Sequence, residues 1–565
     1  MTTSGRHGRS KAASSGRGTY PQVELGAAGV IDATLLTVTP AISVADALDA
    51  ARRRDAHAVV AGDAVVLRED LARAAGLGIG GARAQALARP VPVVEARASE
   101  VVVRRHLAAG APLVVVREGR RILGGVTRKS APALPMSLAD RLARRVPAAA
   151  VSVLTTTARV AIKRGSRAFL VGGVVRDALA GRPLASPDLD VVVEGDGPGV
   201  ARGLAETLAA PLVEHARFLT ATVGPTSAGR IDVATARSER YEGRGVLPRV
   251  MPSSIEQDLR RRDFTVNAMA VELESGAFGL LDPFGGREDL AGGRLRILHP
   301  ASFVEDPTRI FRAARYAARL GLRPDAWTAR CQAWALSLVP YPALSGARIL
   351  AELAHLLGED HPEVPLVRLG AAGAYRLLEP RYRFGRAART RVMALPAARA
   401  WSHTHGIDVA ALELLLVALL SGQAPDVVTA ALRRLELSGE PLARILKAIG
   451  DRPALAGKHA ATRASERARV LRGRSPLEMA ALWLDGTPAV RQHLEWFCEA
   501  GRGRPLLRGD DVIALGVPAG PEVARALEAL RDARLDGEVT ERSEEEAFVR
   551  AWERQAHGQP FRKER

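Results

Sequence analysis

The chain has very little cysteine: Cys331 and Cys498 are the only two among 565 residues. They lie too far apart for the paired spacing of a structural zinc site, and one pair cannot build the disulfide framework of a small secreted domain. The sequence therefore argues against a fold stabilised by zinc or by disulfides. It favours a protein of the reducing cytoplasm.

Long apolar runs are also missing. No stretch approaches the roughly eighteen apolar residues that a membrane-spanning helix requires, so we expect no membrane partner. Residues 1–22 contain basic residues, no acidic residue and little apolar content. The apolar segment of a secretory signal does not follow them. We predict a disordered basic arm over residues 1–22.

Acidic residues are outnumbered by basic ones. The chain has 62 Asp and Glu against 80 Lys and Arg, which gives a formal net charge of +18. This excess favours a polyanionic partner, nucleic acid above all, although heavy arginine usage in a GC-rich genome is an alternative explanation. A chain of this length is too long for one core, so we expect several domains of roughly 100–200 residues.

Residues 30–130 contain two loosely similar segments, each predicted to form a strand, a helix and two further strands. The predicted elements are Leu36–Pro40, a helix from Ser43, Ala58–Ala61 and Val65–Leu67, followed by Val91–Val94, a helix from Ala98, Leu113–Val116 and Ile122–Thr127. This repeat resembles a tandem pair of CBS (cystathionine-β-synthase-type) domains. Such pairs commonly bind adenosine nucleotides through a small residue and Thr or Ser followed by Asp.

The two copies depart from that ligand pattern. The first keeps Asp70 without the preceding Gly and Thr, and the second has Gly125 and Thr127 but Ser130 where Asp is expected. These departures favour a structural module, or one that forms a homodimer. An adenosine nucleotide bound by the module is the alternative.

The most informative stretch begins with a glycine turn. Gly172 and Gly173 follow the apolar strand pattern Phe169–Val171, where they permit a tight turn and a close approach of the backbone to a phosphate chain. Arg176 supplies a nearby positive charge. A glycine pair alone also occurs in purely structural turns.

Two carboxylates follow the turn. Asp188 and Asp190 are spaced i, i+2 at the start of the apolar run Val191–Val193, so a strand would place both on one face. Neighbouring carboxylates repel each other unless a cation lies between them, and Mg²⁺ prefers such oxygen ligands. Asp232, in a later predicted strand, is either a third carboxylate facing this pair or a residue that only holds the neighbouring loop.

Two basic segments come later in the chain. Arginines 260–262 precede Asp263 and Asn267, which can order a sugar or hold the arginines, and arginine suits bidentate phosphate contacts. A helix is predicted from Glu305 to Gly321, with Pro307 in its first turn. Its residues at steps of three share one face, which is either a ligand-binding row or a solvated charged face. They are Asp306, Arg309, Arg312 and Arg315.

Five motifs in order resemble the class II tRNA nucleotidyltransferase and bacterial poly(A) polymerase superfamily, within the DNA polymerase β-like nucleotidyltransferases. The motifs are Gly172–Asp177, Asp188–Asp190, Arg260–Ala268, Asp282–Gly286 and Glu305–Arg309. Each motif alone matches by chance, but their order over about 140 residues makes the resemblance specific. It covers residues 137–547, whereas the N-terminal part rests on the CBS resemblance alone.

The resemblance implies that Asp188 and Asp190 are catalytic and bind Mg²⁺, which would activate a tRNA 3′-hydroxyl and steady the leaving pyrophosphate. Asp306 and Arg309 would select the base as a protein template, because an acceptor and a donor at fixed separation can pair with a base edge. The implied nucleotide-binding residues are Gly172, Gly173, Arg176, Arg262, Asp263, Asn267, Asp306, Arg309, Arg312 and Arg315. Asp232, Glu305 and Arg261 are further candidates.

The rest of the chain is predicted to be helical. The neck helix Leu344–Leu357 carries Arg348 and Glu352 at the i, i+4 spacing of an ion pair. The arginine-rich segments Arg381–Arg391 and Arg463–Arg474 are candidates for gripping the tRNA backbone, with a solvated surface as the alternative. Residues 509–521 resemble the tail of these enzymes.

The predicted fold class is a multidomain α+β protein. It combines an N-terminal α/β tandem CBS-like module, a polymerase-β-like head with a mixed sheet and helices, and an all-α neck, body and tail. The predicted boundaries are residues 1–22 for the arm, 23–131 for the module, 137–300 for the head, 301–380 for the nucleotide-selecting helix and neck, 381–547 for the RNA-binding body and tail, and 548–565 for a C-terminal extension.

The predicted function is template-independent addition of all or part of CCA to tRNA 3′ ends from CTP and ATP, with release of pyrophosphate. A specialised CC-adding or A-adding enzyme and a poly(A) polymerase share the motifs and remain alternatives. A non-catalytic adenylate sensor or RNA-binding protein is the alternative from another class. The intact pair Asp188 and Asp190 argues against it, because loss of one carboxylate is the simplest route to inactivity.

Overall fold

The structure is a computed structural model. It describes residues 26–129, 136–182, 184, 188–215, 219–273, 278–450, 463–500 and 503–556. The predicted basic arm, residues 130–135 between the module and the head, and the last residues of the C-terminal extension lie outside the described residues.

The N-terminal module consists of two β-α-β-β units. The elements are β1 (Leu35–Val38), α1 (Val44–Arg53), β2 (Ala58–Ala61), β3 (Ala64–Leu67) and α2 (Arg68–Gly76), then β4 (Val93–Glu95), α3 (Glu100–Ala108), β5 (Val114–Glu118) and β6 (Arg121–Val126). In each unit the first two strands are parallel and the last two antiparallel. Ser43 and Ser99 cap α1 and α3 through their side-chain oxygens. The predicted repeat is thus present, and its assignment to the CBS class stays a prediction.

The head is built on a mixed eight-stranded sheet. Its elements are β7 (Met136–Ser137), α4 (Ala139–Arg145), α5 (Ala148–Lys163), β8 (Arg167–Val171), α6 (Gly173–Leu179), β9 (Leu189–Glu194), α7 (Gly197–Leu208), β10 (Leu212–His215), β11 (Thr220–Thr226), β12 (Gly229–Thr235), β13 (Arg237–Arg240), β14 (Arg249–Pro252), α8 (Ile255–Arg260), β15 (Ala270–Glu272), β16 (Gly279–Leu281), α9 (Gly286–Ala291) and β17 (Arg294–Leu295). The strand order is β10-β11-β12-β9-β8-β15-β16-β7. β9 and β12 are parallel, whereas β8 is antiparallel to β9. The predicted mixed sheet is confirmed.

Helices pack on both faces of this sheet, and β13 pairs with β14 outside it as a hairpin. At the start of β9 the exposed Asp190 lies between the buried Leu189 and Val191, and the centre of the strand is buried on both faces. α5 and α7 pack on one face, where Leu170, Val191 and Val193 join their core. Phe169 and Val192 point to the opposite side, towards α8. The carboxylate-bearing end of β9 is therefore supported from both faces.

The remaining elements are helical, as predicted, apart from a short strand. They are α10 (Ser302–Glu305), α11 (Thr308–Leu320), β18 (Arg323–Pro324), α12 (Ala326–Ser337), α13 (Gly346–Leu357), α14 (Glu363–Ala371), α15 (Arg386–Thr404), α16 (Ala411–Leu420), α17 (Pro425–Arg434), α18 (Gly439–Gly450), α19 (Ala464–Leu471), α20 (Pro476–Asp485), α21 (Pro488–Glu499), α22 (Gly509–Ala514), α23 (Pro521–Leu535) and α24 (Arg542–Ala556). The predicted helix from Glu305 is split in two, because Asp306 is extended. It ends at Gly321 as predicted, with a left-handed φ of +70°.

The N-terminal module packs against the helices that follow the head. Its Val44 and Leu71 share one core with Phe303 and Trp327, so the first unit packs on the neck. Trp327 Nε1 donates a hydrogen bond of 3.0 Å to the Ala88 carbonyl. This docking was not predicted, because the apolar residues that form it also fit the core of an isolated module.

The second unit makes its own backbone contact with the head. A Cβ atom on Gly110 would lie 2.3 Å from the Phe284 carbonyl oxygen, and one on Gly285 would lie 2.2 Å from the Ala109 carbonyl oxygen. Neither glycine can therefore carry a side chain without separating the two backbones. No helix among the described residues is long and apolar enough to cross a membrane.

Candidate active site

A cleft of about 740 Å³ lies between the carboxylate end of the head sheet and the helices α11 and α13. This volume is typical of sites for small ligands, which occupy roughly 300–1,000 Å³. Of the predicted site residues, its walls contain Gly172, Gly173, Arg176, Asp188, Asp190, Arg261, Arg262, Asp263, Asn267, Asp306, Arg309 and Arg312. Asp232, Glu305 and Arg315 do not line it.

The two carboxylates face solvent in this cleft. Asp188 directly precedes β9, and Asp190 follows the buried Leu189, so the predicted common orientation is confirmed. The pKa of Asp190 is raised, because the cleft withdraws the carboxyl from water and because Asp232 and Asp188 are nearby. Adjacent carboxylates that disfavour each other's ionisation suit a divalent cation, which needs hard oxygen ligands. Asp188 and Asp190 therefore fit two ligand positions of a metal ion whose other ligands would be phosphate oxygens and water.

The glycine turn touches the same carboxylates. Gly172 has φ +78° and ψ −138°, a backbone conformation that residues other than glycine rarely adopt. A Cβ atom there would lie 3.2 Å from Asp190 Oδ2. The positive φ therefore favours glycine here, and a Cβ atom would also press on the neighbouring carboxylate.

We expect Gly172→Ala to lower the free energy of unfolding by about 1–3 kcal/mol, the usual cost of such a conformation, and to reduce catalysis by displacing Asp190. Urea denaturation and nucleotide incorporation would measure the two effects. Gly358→Ala is the matched control, because Gly358 has φ −84° and its nearest neighbour would be 3.5 Å from the new Cβ. Equal behaviour of the two variants would contradict the prediction.

A chain of polar contacts crosses the cleft floor. Arg176 donates to both oxygens of Asp177 at 2.9 Å and to Asn267 Oδ1 at 2.7 Å. Asn267 Nδ2 donates to Asp263 Oδ1 at 2.9 Å, and Arg312 donates twice to Asp263 Oδ2. Although burial opposes it, Arg312 holds the pKa of Asp263 below its usual value. Asp263 and Asn267 thus hold Arg312 and Arg176, whereas the prediction had them hold arginines 260–262.

A second buried carboxylate organises the consecutive arginines. Asp258 accepts from Arg261 at 2.8 Å and from Arg262 at 3.0 Å. Burial raises the pKa of Asp258, but the charges of Arg262 and Arg261 outweigh it and lower the pKa. Arg262 is thereby held beside the glycine turn, where its Nη1 would be 3.8 Å from a Cβ on Gly172.

The residues predicted to select the base are held rigidly. Asp306 Oδ1 accepts from the Thr308 amide at 3.0 Å and from Arg348 Nη2 at 2.7 Å. Arg309 is buried, and its Nη1 donates to Ser302 Oγ at 2.7 Å while its Nη2 donates to the Arg261 carbonyl at 3.0 Å. Such locked rotamers suit a site that discriminates between ligands by geometry.

The face predicted along this helix is only partly confirmed. Arg315 lies against Glu352 at 4.0 Å and over the Tyr316 ring instead of lining the cleft. Arg348 and Glu352 were expected to pair with each other. Instead, Arg348 contacts Asp306 and Glu352 contacts Arg312. The α11 face and the α13 face are opposite each other, so contacts across helices compete with the contact along one helix.

Glu305 has a supporting position behind the cleft. Its side chain is 2% exposed, and its carboxylate contacts Arg73 of the module and His299. Several residues of the cleft were not predicted, among them Tyr241 and Tyr316. Tyr316 lies four residues after Arg312 on α11, whereas the prediction considered only residues at steps of three.

Asp70 and Thr127, the residues of the module that match the ligand pattern, have partners within the module. Asp70 is buried and accepts from Arg89 Nη2 at 2.7 Å, and Thr127 donates to Asp32 at 2.7 Å. These contacts favour the structural interpretation of the module over nucleotide binding by Asp70 and Thr127. Its dimerisation stays a prediction.

The arginine-rich segments of the body are mixed in character. Arg391 is buried and donates to the Ala418 carbonyl, so it supports the fold. Arg469 and Arg472 bind Asp532. Arg386 and Arg389 are exposed and remain candidates for contact with RNA.

Asp232 lies beside the carboxylate pair but is not among the residues that line the cleft. It is the parallel-strand partner of Asp190, and its Oδ1 accepts from Thr222 Oγ1 at 2.6 Å. In the part of the chain that the structure describes, no group of three His, Cys, Asp or Glu side chains could hold a metal ion.

We therefore expect Asp232→Asn to retain nucleotide incorporation within about tenfold of the unsubstituted protein, because an amide oxygen can still accept from Thr222. Single-turnover incorporation of a labelled nucleotide would measure it. A loss as large as that of Asp190→Asn would instead make Asp232 a third catalytic carboxylate.

Comparison with known proteins gives consistent matches. Residues 168–296 match the family model of the poly(A) polymerase head domain. An A-adding tRNA nucleotidyltransferase of Geobacter sulfurreducens is 30% identical over 468 residues, covering 77% of this chain and 53% of that protein. A CC-adding tRNA nucleotidyltransferase of Deinococcus radiodurans is 35% identical over 386 residues, covering 68% of this chain and 88% of that protein.

A solved structure of the Thermotoga maritima CCA-adding enzyme complexed with tRNA has a TM-score of 0.65 at 26% identity, covering 74% of this chain and 99% of that one. The chain spans about half the length of the Geobacter relative and most of the Deinococcus relative. Four of the five motifs contribute to one cleft, and the similarity extends over 88% of the Deinococcus relative, so the chain belongs to the family of tRNA nucleotidyltransferases and bacterial poly(A) polymerases.

Proposed function

We propose that this protein is a template-independent RNA nucleotidyltransferase that adds all or part of CCA to tRNA 3′ ends from CTP and ATP. The observation that carries the proposal is the position of Asp188 and Asp190 in the same cleft as Asp306 and Arg309. One pair supplies the chemistry and the other supplies a rigid donor and acceptor for a base. The reaction belongs in the cytoplasm, where tRNA and both nucleotides are present.

The reaction transfers a nucleotidyl group. The 3′-hydroxyl oxygen of the RNA bonds to the α-phosphorus of the nucleotide, and the bond from that phosphorus to the bridging β-phosphate oxygen breaks. Pyrophosphate leaves with the electron pair, and the hydroxyl proton passes to solvent. No redox partner is needed.

Enzymes of this family generally use a divalent metal ion, and we propose Mg²⁺ held by Asp188 and Asp190. When bound, such an ion supplies positive charge that lowers the pKa of the attacking hydroxyl and stabilises the leaving pyrophosphate. Carboxylate oxygens are the donors that this ion prefers.

The arginines of the cleft bind the triphosphate in this proposal. Arg262 is held beside Asp190 by Asp258, and Arg176 and Arg312 are held by the contacts across the cleft floor. Guanidinium groups fixed in this way bind phosphate oxygens without first losing rotamer freedom. Gly172 and Gly173 leave space for the phosphate chain beside them.

Base selection falls to Asp306 and Arg309. Asp306 presents acceptors and Arg309 presents donors, and Arg348 and Ser302 fix their positions. A donor and an acceptor at constant separation can pair with the edge of cytosine or adenine as a template base would. The protein itself therefore replaces a nucleic-acid template.

Transfer assays with defined RNA ends test the proposal. The protein would be incubated with tRNA lacking its last one, two or three nucleotides and with single labelled nucleoside triphosphates. Addition of A only, of CC only, or of CCA would each support the proposal and assign the specificity. Sustained addition beyond three nucleotides would replace it with poly(A) synthesis, and no incorporation on any acceptor would overturn it.

A further inference from the structure

A helix of the N-terminal module reaches the segment that selects the nucleotide. Arg73, on α2, places its Nη1 2.6 Å from Glu305 Oε1, although the two residues are 232 positions apart. The Arg73 side chain is 26% exposed and that of Glu305 is 2% exposed. An ion pair whose carboxylate is shielded from water is screened less by salt than a surface pair.

Glu305 lies between Arg73 and the base-selecting residues of the site. It precedes Asp306 in the chain, and its Oε2 lies 3.3 Å from His299 Nε2 and 3.9 Å from Arg309 Nη1. The same Nη1 donates to Ser302 Oγ at 2.7 Å. One amino group of Arg309 is therefore positioned between a serine hydroxyl and a buried carboxylate.

Two arginines, Arg73 and Arg309, lie near the Glu305 carboxylate. Burial and the charge of Arg73 lower the pKa of His299 to about 3, so the ring is neutral near pH 7. Although burial opposes it, contacts with His299, Arg73 and Arg309 hold the pKa of Glu305 at about 2. The Glu305 carboxylate is ionised. If Arg73 were removed, Arg309 would be the remaining arginine that attracts it.

We propose that Arg73 is a positioning residue through which the N-terminal module controls nucleotide selection. By binding Oε1 of Glu305, Arg73 keeps that carboxylate from drawing Arg309 away from Ser302 and Arg261. The inference rests on the proposed function, since it concerns how the same site chooses its nucleotide. It gives the module a part in the reaction that does not require a ligand of its own.

The docking of α2 does not depend on Arg73 alone. Glu69 on the same helix forms an ion pair with Arg260 of the head. Leu71 of α2 belongs to the core shared with the neck. Removing the Arg73 charge should therefore alter Glu305 without detaching the module.

The test compares Arg73→Met, Arg73→Lys and Arg68→Met in the full chain. Arg68 is the matched control, because it lies on the same helix and pairs with the exposed Asp55 instead of with the site. For each variant, kcat and KM would be measured for the preferred nucleotide and for the next best of the four, with the Kd for tRNA and the unfolding midpoint in urea.

We expect Arg73→Met to reduce the ratio of kcat/KM between the two nucleotides by at least about fivefold, with the tRNA Kd within about twofold. Arg73→Lys should restore most of the selectivity, and Arg68→Met should match the unsubstituted protein. The double variant Arg73→Met, Glu305→Gln should select better than Arg73→Met alone, because no carboxylate charge remains to displace Arg309.

A uniform loss with both nucleotides, or equal selectivity in Arg73→Met and Arg68→Met, would overturn the inference. So would a failure of Arg73→Lys to restore selectivity in a protein of unchanged unfolding midpoint. These outcomes are distinct from failure of the proposed function, in which the unsubstituted protein itself adds no nucleotide to tRNA.

Discussion

Replacing Asp190 with Asn should reduce nucleotide incorporation into tRNA by about 10³-fold or more, an effect of the size seen when a group that stabilises transition-state charge is lost. Asn keeps the size of the side chain and removes the negative charge that suits a cation. The side chain faces solvent, so the fold should be preserved. Asp188→Asn should behave in the same way, and labelled CTP and ATP would measure both.

Asp140→Asn is the matched control, because Asp140 is an exposed carboxylate on α4 of the same head. It should leave incorporation unchanged. Treatment of the unsubstituted protein with a chelator should abolish activity, and added Mg²⁺ should restore it. If Asp188→Asn and Asp190→Asn both kept full activity, the metal-dependent mechanism would be wrong.

Replacing Arg309 with Ala should reduce discrimination between nucleotides by about 1–3 kcal/mol, the usual value of a good contact to a base edge. The physical reason is that Arg309 is the rigid donor of the cleft, held by Ser302 and Arg261. Binding of tRNA should change far less. Competition between CTP and ATP on one acceptor, together with a tRNA binding titration, would separate the two effects.

Because Arg309 is buried, the substitution also removes hydrogen-bond partners and should cost about 1–3 kcal/mol of unfolding free energy. Assays must therefore be run well below the unfolding midpoint. Arg323→Ala, at an exposed arginine of β18, is the control for loss of an arginine. Equal loss of nucleotide choice and of tRNA binding in Arg309→Ala would contradict the assigned role.

Much of the fold could be predicted because its signals are local. Alternating residues placed Asp188 and Asp190 on one face of β9, and the end of α11 at Gly321 followed from glycine's left-handed backbone. The break before α11 was not predicted. Asp306 is extended there, and its contact with Arg348, on another helix, holds it in that conformation.

The membership of the cleft was largely predictable, but the contacts within it were not. Motif order indicated which residues belong together, since Arg176, Asp263 and Arg312 all line one site. It did not indicate that Asp263 binds Arg312 from 49 positions away, or that Arg348 binds Asp306 and not Glu352.

The sequence by itself determined the elements, the glycine turn and the carboxylate pair, because these depend on neighbours within a few positions along the chain. Only the tertiary structure decided which carboxylate holds each arginine of the cleft in position. The contact of Arg73 with Glu305 is the clearest case, with 232 positions between the partners. A charged side chain pairs with the opposite charge that the fold brings within a few ångströms. Periodicity along the chain does not predict that distance.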